Sequence, residues 1–202
     1  MQKIHRHTRR ESILISGGFP CQDASKANPN GKGIEGDRTG AGWNEMHRII
    51  REVRPEYVFV ENVPNLLRRG WGKVIADLSS SGYNVWWRVI PAKNFGFHFE
   101  GERIYAVAFE ASRFGWQTLQ NFNKCFEKEI QISRPKTQPD LTGNNSLTFF
   151  KEDYAALLRA DYGLSAGSYR IAALGNACIP LFPEIILTAL KKFDEQFFNP
   201  PQ

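Results

Sequence analysis

What the chain has little of narrows the field first. Its 202 residues include only three cysteines, Cys21, Cys125 and Cys178. They lie far apart and are odd in number, and no Cys-x-x-Cys pair or Cys/His cluster has ligand spacing. A disulfide framework and a zinc site are therefore excluded as organising devices, and no metal is expected. No apolar run approaches the roughly 18 residues that cross a bilayer, so no membrane partner is expected. The basic start MQKIHRHTRR leads into no signal core, because Ile13–Ile15 is far too short. Internal repeats are lacking, and neither charge sign is in large excess. The net charge of +5 and pI of about 9.2 are compatible with a nucleic-acid partner without being specific for one.

What is present is the composition of a soluble globular protein, 42% hydrophobic and 23% charged. The length suits one sizeable domain and a small appendage. Residues 1–11 read as a basic tail. Ser12–Ser16 is a short apolar run ending at Gly17–Gly18, the pattern of a buried strand opening into a loop. Asp23–Ala41 is polar and aperiodic, with Gly31, Gly33, Gly36 and Gly40 inside it, and reads as a long mobile loop. Trp43, Met46, Ile49, Ile50 and Val53 then recur at helical spacing over Gly42–Arg54, before Pro55. Glu56–Val60 reads as a second strand, Trp71–Ser81 as a second helix closed by Gly82, and Tyr83–Ile90 and Arg103–Phe109 as further strands. This alternation predicts an α/β domain over residues 12–110 with a mainly parallel sheet. Residues 111–150, rich in Asn, Gln, Lys and Thr, read as a small irregular insertion. Residues 151–198 form a helical segment returning to the domain, with Pro180–Phe197 as its clearest helix.

Two positions carry chemical promise. Cys21, in Gly18-Phe19-Pro20-Cys21-Gln22, sits just past the carboxyl end of a strand, where open α/β sheets place their ligands. A lone cysteine is more often a small buried hydrophobe than a nucleophile. Glu61, in Glu61-Asn62-Val63, ends the next strand and would approach Cys21 if the strands are neighbours. Capping the following turn is the plainer role for such a residue.

Taken together, these residues resemble the DNA cytosine-5 methyltransferases. Phe-Pro-Cys-Gln followed about 40 residues later by Glu-Asn-Val is that family's signature pair. Between them, Gly33-Ile34-Glu35-Gly36-Asp37-Arg38-Thr39 and Arg48–Pro55 are also similar to it. Ala173-Leu174-Gly175-Asn176-Ala177 followed by Pro180 resembles its last conserved segment, and Gly96–Ala108 matches more loosely. The likeness spans roughly residues 12–109 and 160–192.

The resemblance implies a Rossmann-like fold and methyl transfer from S-adenosylmethionine to carbon 5 of cytosine in double-stranded DNA. It also implies the cytoplasm of a bacterial cell or phage-infected host. Cys21 would add to carbon 6 and make carbon 5 nucleophilic, and Glu61 with a raised pKa would hydrogen-bond ring nitrogen 3. Arg103 would lie near the cytosine oxygen. Asn62 would hold the loop, while Pro20 and Gln22 would line the substrate site. Arg38, with Lys26 and Lys32, would meet phosphates from a lid closing over a flipped base. Phe19, Asn176 and Ala177 would touch the cofactor.

The pattern is departed from in three ways. The family opens with a strand and a Phe-x-Gly-x-Gly turn, which is not found before Ser12. The expected sheet is therefore incomplete, its first strands missing, and Ile13–Ile15 becomes an apolar edge. A second chain supplying that half is one expectation. The loose motif usually ends Arg-x-Arg, but here reads Glu100-Gly101-Glu102-Arg103, which loses one bidentate donor and adds a negative charge. The recognition region is also short. These departures leave room for a catalytically inactive DNA-binding relic or companion subunit. A cysteine hydrolase would need a histidine base beside Cys21, and His5, His7, His47 and His98 carry no pairing motif for it.

Overall fold

A computed structural model describes residues 12–25, 28–95, 101–133 and 179–198. Four strands form one sheet: β1 (Leu14–Gly17), β2 (Tyr57–Asn62), β3 (Tyr83–Ile90) and β4 (Arg103–Glu110), in the spatial order β1-β2-β4-β3. β1 and β2 are parallel, with Gly17 opposite Val60. β4 is antiparallel to both of its neighbours, with Glu61 opposite Tyr105 and Ile90 opposite Arg103. It follows that β1, β2 and β3 share one direction, and that β4 is inserted between β2 and β3 against them. The α/β class and the dominant strand direction agree with the sequence reading, but the sheet is mixed. β3 and β4 pair antiparallel after a short connection with no crossover helix among its described residues.

The strands form where β-branched and aromatic residues crowd together, as in Tyr57-Val58-Phe59-Val60 and Ile104-Tyr105-Ala106-Val107. Alternation then sorts the two faces. Val58, Val60, Ile104, Ala106 and Ala108 belong to a core with Trp43 and Ile50 of α1 (Asp37–Val53) and Val74 and Leu78 of α2 (Trp71–Ser80). Residues of the opposite parity, Tyr57, Phe59, Tyr105 and Phe109, make ring contacts on the other face. Phe122 of α3 (Thr118–Ser133) packs edge-on against Trp86 and Phe109.

Two boundaries differ from the sequence reading. α1 begins at Asp37, five residues before Gly42, because Asp23 caps it from a distance. It ends at Val53 and is followed by Arg54, whose φ of 52° is left-handed, so the chain leaves the helix just before Pro55. The segment expected to be irregular carries the 16-residue helix α3, with Phe122, Phe126 and Ile130 buried at i, i+4, i+8.

The chain divides into two compact units: Met1–Ile90 with Glu102–Lys124, and Pro91–Gly101 with Cys125–Gln202. Within the second, Glu129 of α3 pairs with Lys192 of α4 (Leu181–Phe198) at 2.7 Å, and Phe95 meets Phe182 edge-on. The helix expected over Lys151–Ala160 and the Tyr169–Ala177 segment lie outside the described residues. No helix among the described residues is long and apolar enough to cross a membrane, and no group of three or more His, Cys, Asp or Glu among them could hold a metal.

Candidate active site

The parallel register of β1 and β2 brings the two motifs together. Gly17 lies opposite Val60, so the next pair of residues is Gly18 and Glu61. A β-carbon at Gly18 would stand 3.0 Å from Glu61 Oε2, so even an alanine there would press on the carboxylate. The chain then turns. The Phe19 ring is buried against Trp43, with centroids 5.3 Å apart, and the Phe19 carbonyl accepts a hydrogen bond from Asn62 Nδ2 at 3.0 Å. Asn62 Oδ1 accepts from the Val63 N–H at 2.9 Å, which satisfies both ends of a buried amide. Pro20 is exposed above Gly42, where a β-carbon would collide with the proline Cδ at 2.4 Å. The Cys21 carbonyl accepts from the Ala24 and Ser25 N–H groups at 2.9 and 2.8 Å, closing a tight turn with Cys21 half-buried at its start.

Strand alternation puts Asn62 toward α1 and α2 and Glu61 on the opposite face. On that face Arg103 is Glu61's diagonal neighbour, and its Nε lies 3.0 Å from Glu61 Oε1. Burial raises the Glu61 carboxyl above its ordinary range, against the pull of Arg103. Burial also raises the Cys21 thiol. Glu61's charge raises it further, and Arg103's charge lowers it. The three groups thus share one electrostatic neighbourhood at the carboxyl ends of β1 and β2. That neighbourhood can hold a thiol in reserve beside a carboxyl poised to carry a proton.

The segment after Cys21, read from the sequence as a long mobile loop, is fastened at several points among its described residues. Asp23 Oδ2 accepts from the Arg38 and Thr39 N–H groups, both at 3.1 Å, while the Asp23 N–H donates to Thr39 Oγ1 at 3.1 Å. That is a capping box closed from outside the helix. Asn65 Nδ2 donates to the Ala24 carbonyl at 2.7 Å, and the Arg69 guanidinium reaches four further carbonyls between Asp23 and Gly31.

A family model described as C-5 cytosine-specific DNA methylase matches residues 3–162, most of the chain. The chain belongs to this family. Among curated proteins, the Type II methyltransferase M.Sau3AI of Staphylococcus aureus is 35% identical over 127 residues, which is 58% of this chain and 29% of that protein. The Type II methyltransferase M.MspI of Moraxella sp is 29% identical over 168 residues, 80% of this chain and 38% of its own length. The chain spans about a third of the length of such relatives. Among solved structures, the Entamoeba histolytica methyltransferase EhMeth superposes with a TM-score of 0.41 at 18% identity, over 48% of this chain and 31% of that one.

In this member of the C-5 cytosine-specific DNA methylase family, the structure gathers Cys21, Glu61, Arg103 and Asn62 into one region. Gln22 is exposed beside them, its carbonyl accepting from Asn28 Nδ2 at 3.2 Å. Arg38 and Lys32 are exposed on the same loop-helix junction, and Lys26 lies outside the described residues. Phe19 is packed into the core at 6% exposure and offers a ligand little surface. Asn176 and Ala177, the other cofactor candidates, lie outside the described residues, as do Phe99 and Glu100. Gly101, which stands where the resembled motif has an arginine, has a φ of 45°, a conformation that an L side chain would hold only under strain. His47 stacks on Trp43 and pairs with Ser81 Oγ at 2.8 Å. Asp23, Asn65 and Arg69 escape sequence reasoning, because their partners are backbone groups that leave no motif.

Proposed function

We propose that this chain carries the cytosine-attacking centre of a DNA cytosine-5 methyltransferase. The observation that carries the reading is the Glu61–Arg103 pair acting on a half-buried Cys21. Residues 12–110 would be the catalytic part and 111–150 the target-recognition part, with 151–198 returning to the catalytic part. The substrate is a cytosine swung out of double-stranded DNA, and exposed Lys32 and Arg38 are suited to phosphate contact.

Cys21 gives its proton to solvent and adds to carbon 6, forming the sulfur–carbon bond as the carbon 5–carbon 6 double bond opens and electron density moves to carbon 5. Glu61, whose carboxyl is raised by burial against the pull of Arg103, would carry the proton that hydrogen-bonds ring nitrogen 3, where charge accumulates. Arg103 orients Glu61 and lowers the cost of the thiolate. S-adenosylmethionine, when bound, supplies an electrophilic methyl group to carbon 5. Water then takes the carbon 5 proton, the electron pair left behind re-forms the double bond to carbon 6, and the sulfur–carbon bond breaks, returning Cys21 as its thiolate. The described residues provide no complete set of contacts for that cofactor.

A second chain or segment that adds a strand to the sheet completes this reading. Its support is the edge of β1. Among the described residues β1 pairs only with β2, and Ile13 and Leu14 stand 49% and 38% exposed beside the free edge. The alternative, an inactive DNA-binding companion, is favoured by the thiol being raised and by the missing arginine at Gly101.

The deciding experiment combines the chain, with its complementing half, with S-adenosylmethionine and duplex DNA containing 5-fluorocytosine. Fluorine does not leave as a proton does, so a covalent adduct through Cys21 is expected, and Cys21→Ala should abolish it. DNA binding without an adduct would establish the inactive companion instead.

A further inference from the structure

Arg69 stands eight residues after Glu61, just beyond a 3-10 turn at Pro64–Arg68. Its Nη1 donates to the carbonyls of Asn28 at 2.8 Å and Gly31 at 3.1 Å, with a longer contact to Asp23 at 3.4 Å. Its Nη2 donates to the Pro29 carbonyl at 2.9 Å. Among the described residues, the guanidinium's partners are all backbone carbonyls of the loop that follows Cys21. Arg69's own carbonyl accepts the Ile34 N–H at 2.8 Å, so this one residue fastens the loop at both its middle and its end. Loop carbonyls have no ladder of their own, and a planar fork with five N–H donors can gather several of them at once. An ammonium group cannot reproduce that span.

The seat is built closely. Gly33 has a φ of 64°, and a β-carbon there would lie 2.0 Å from the Arg69 carbonyl oxygen. At Gly31 it would lie 2.2 Å from the Asp23 carbonyl oxygen. Both glycines are required for the loop to lie down on the turn. On the other side of Cys21, Asn62 already holds the Phe19 carbonyl. The nucleophile is therefore braced from both flanks by the single segment Glu61–Arg69, which starts in the last residues of β2.

We infer that Arg69 is a positioning residue for Cys21: it latches the loop Gln22–Gly36 onto the Glu61 segment and so sets how the thiol is presented. The claim rests on the methyltransferase reading only for what the thiol attacks. The latch itself is measured without DNA or cofactor.

The test uses the full chain with Arg69→Ala, Arg69→Lys and Gly33→Ala. The readouts are peptide-resolved hydrogen exchange and iodoacetamide alkylation followed by mass spectrometry, with Cys125 as internal reference. Loss of several charge-assisted hydrogen bonds should speed exchange across Gln22–Gly36 by at least about tenfold, with β2 and β4 unchanged. Cys21 alkylation should rise several-fold relative to Cys125. Its pH midpoint should fall as the thiol becomes hydrated while that of Cys125 stays put, whereas general destabilisation would hydrate both thiols and lower both. Arg69→Lys should lie between wild type and alanine, and Gly33→Ala should reproduce the loosening with the arginine present. Unchanged loop exchange and Cys21 reactivity in Arg69→Ala would overturn the proposal, as would acceleration spread equally over β2, β4 and Cys125. If Arg69→Ala does not fold, the lysine and Gly33 variants decide by the same criteria. Failure of the wild-type chain, with its complementing half, to form the 5-fluorocytosine adduct would count against the methyltransferase reading and leave the latch standing.

Discussion

Arg103 Nε lies 3.0 Å from Glu61 Oε1, although the residue opposite Glu61 across the strand pair is Tyr105. The contact is diagonal, which requires one guanidinium to lean along the sheet toward the carboxyl ends of β1 and β2. Both side chains are largely covered, at 14% and 19% exposure, so their charges act on each other and on Cys21 with little screening.

That relationship gives the first prediction. Glu61's charge raises the Cys21 thiol and Arg103's lowers it. Glu61→Gln removes the former and frees the latter, so the pH midpoint of Cys21 alkylation should fall. At a fixed pH below that midpoint alkylation should be about three- to tenfold faster, since thiolate there changes about tenfold for each pH unit that separates the two. Arg103→Gln should move the midpoint upward. In the adduct assay both variants should lose yield, Glu61→Gln by roughly 10²–10⁴ if it supplies the proton as proposed. Faster alkylation combined with slower adduct formation is the signature of a carboxyl group that restrains the thiol and assists the ring.

Asn62 is the hinge between the two motifs. Asn62→Ala leaves the Phe19 carbonyl and the Val63 N–H without their partner in a buried setting, and should cost about 1–3 kcal/mol in denaturant unfolding. Asn62→Asp should be no better, because a carboxylate cannot donate to the Phe19 carbonyl. A stability equal to wild type for either variant would show that the bond to Phe19 is dispensable.

How much of this is open to sequence reading depends on how local the cause is. Strand β3 is legible to the residue, and β2 and β4 within a few, because β-branched and aromatic runs report directly on a pleated, buried environment. Cys21 and Glu61 are legible because their motifs end adjacent strands. The start of α1 is not, since its cap is Asp23, fourteen residues before Asp37. Helix α3 is obscured for a different reason. Phe122, Phe126 and Ile130 show the period, but the Asn, Gln and Lys between them give the segment the polarity of an irregular insertion. Arg69 leaves no trace in sequence, because a backbone carbonyl belongs to every residue.

Asp23 supplies a test of that non-local cap. Asp23→Ala removes the acceptor for two N–H groups at the first turn of α1 and should cost about 0.5–2 kcal/mol. Asp23→Asn keeps a side-chain oxygen of the same reach and should restore most of the loss. If alanine and asparagine are equally damaging, the charge of Asp23 matters and the capping geometry does not.

The low-pH behaviour should be set at the opposite end of the sheet. Burial alone would raise the Glu56 carboxyl, but hydrogen bonds from the Ile13 N–H, at 2.8 Å, and from Glu56's own N–H, together with the Arg113 guanidinium, outweigh it and hold the group below its ordinary 4.5. Asp77 behaves alike. Burial pushes it up, and Lys73 at 2.8 Å and Trp43 Nε1 at 2.7 Å bring it below 3.8. A carboxyl whose folded pKa is depressed stabilises the fold fully above its unfolded pKa, and that contribution disappears as pH falls through the folded value. Unfolding free energy should therefore be level for these two groups above about pH 5 and decline below it. Glu56→Gln should flatten part of that decline by lowering stability at neutral pH while leaving it nearly unchanged at about pH 2, where the wild-type carboxyl is protonated as well. Because Ile13 immediately precedes β1, the same substitution should also speed hydrogen exchange in Leu14–Gly17. If the acid limb is as steep in Glu56→Gln as in wild type, Glu56 is not one of the groups that titrates with unfolding, and the anchoring of β1 must come from its pairing with β2 alone.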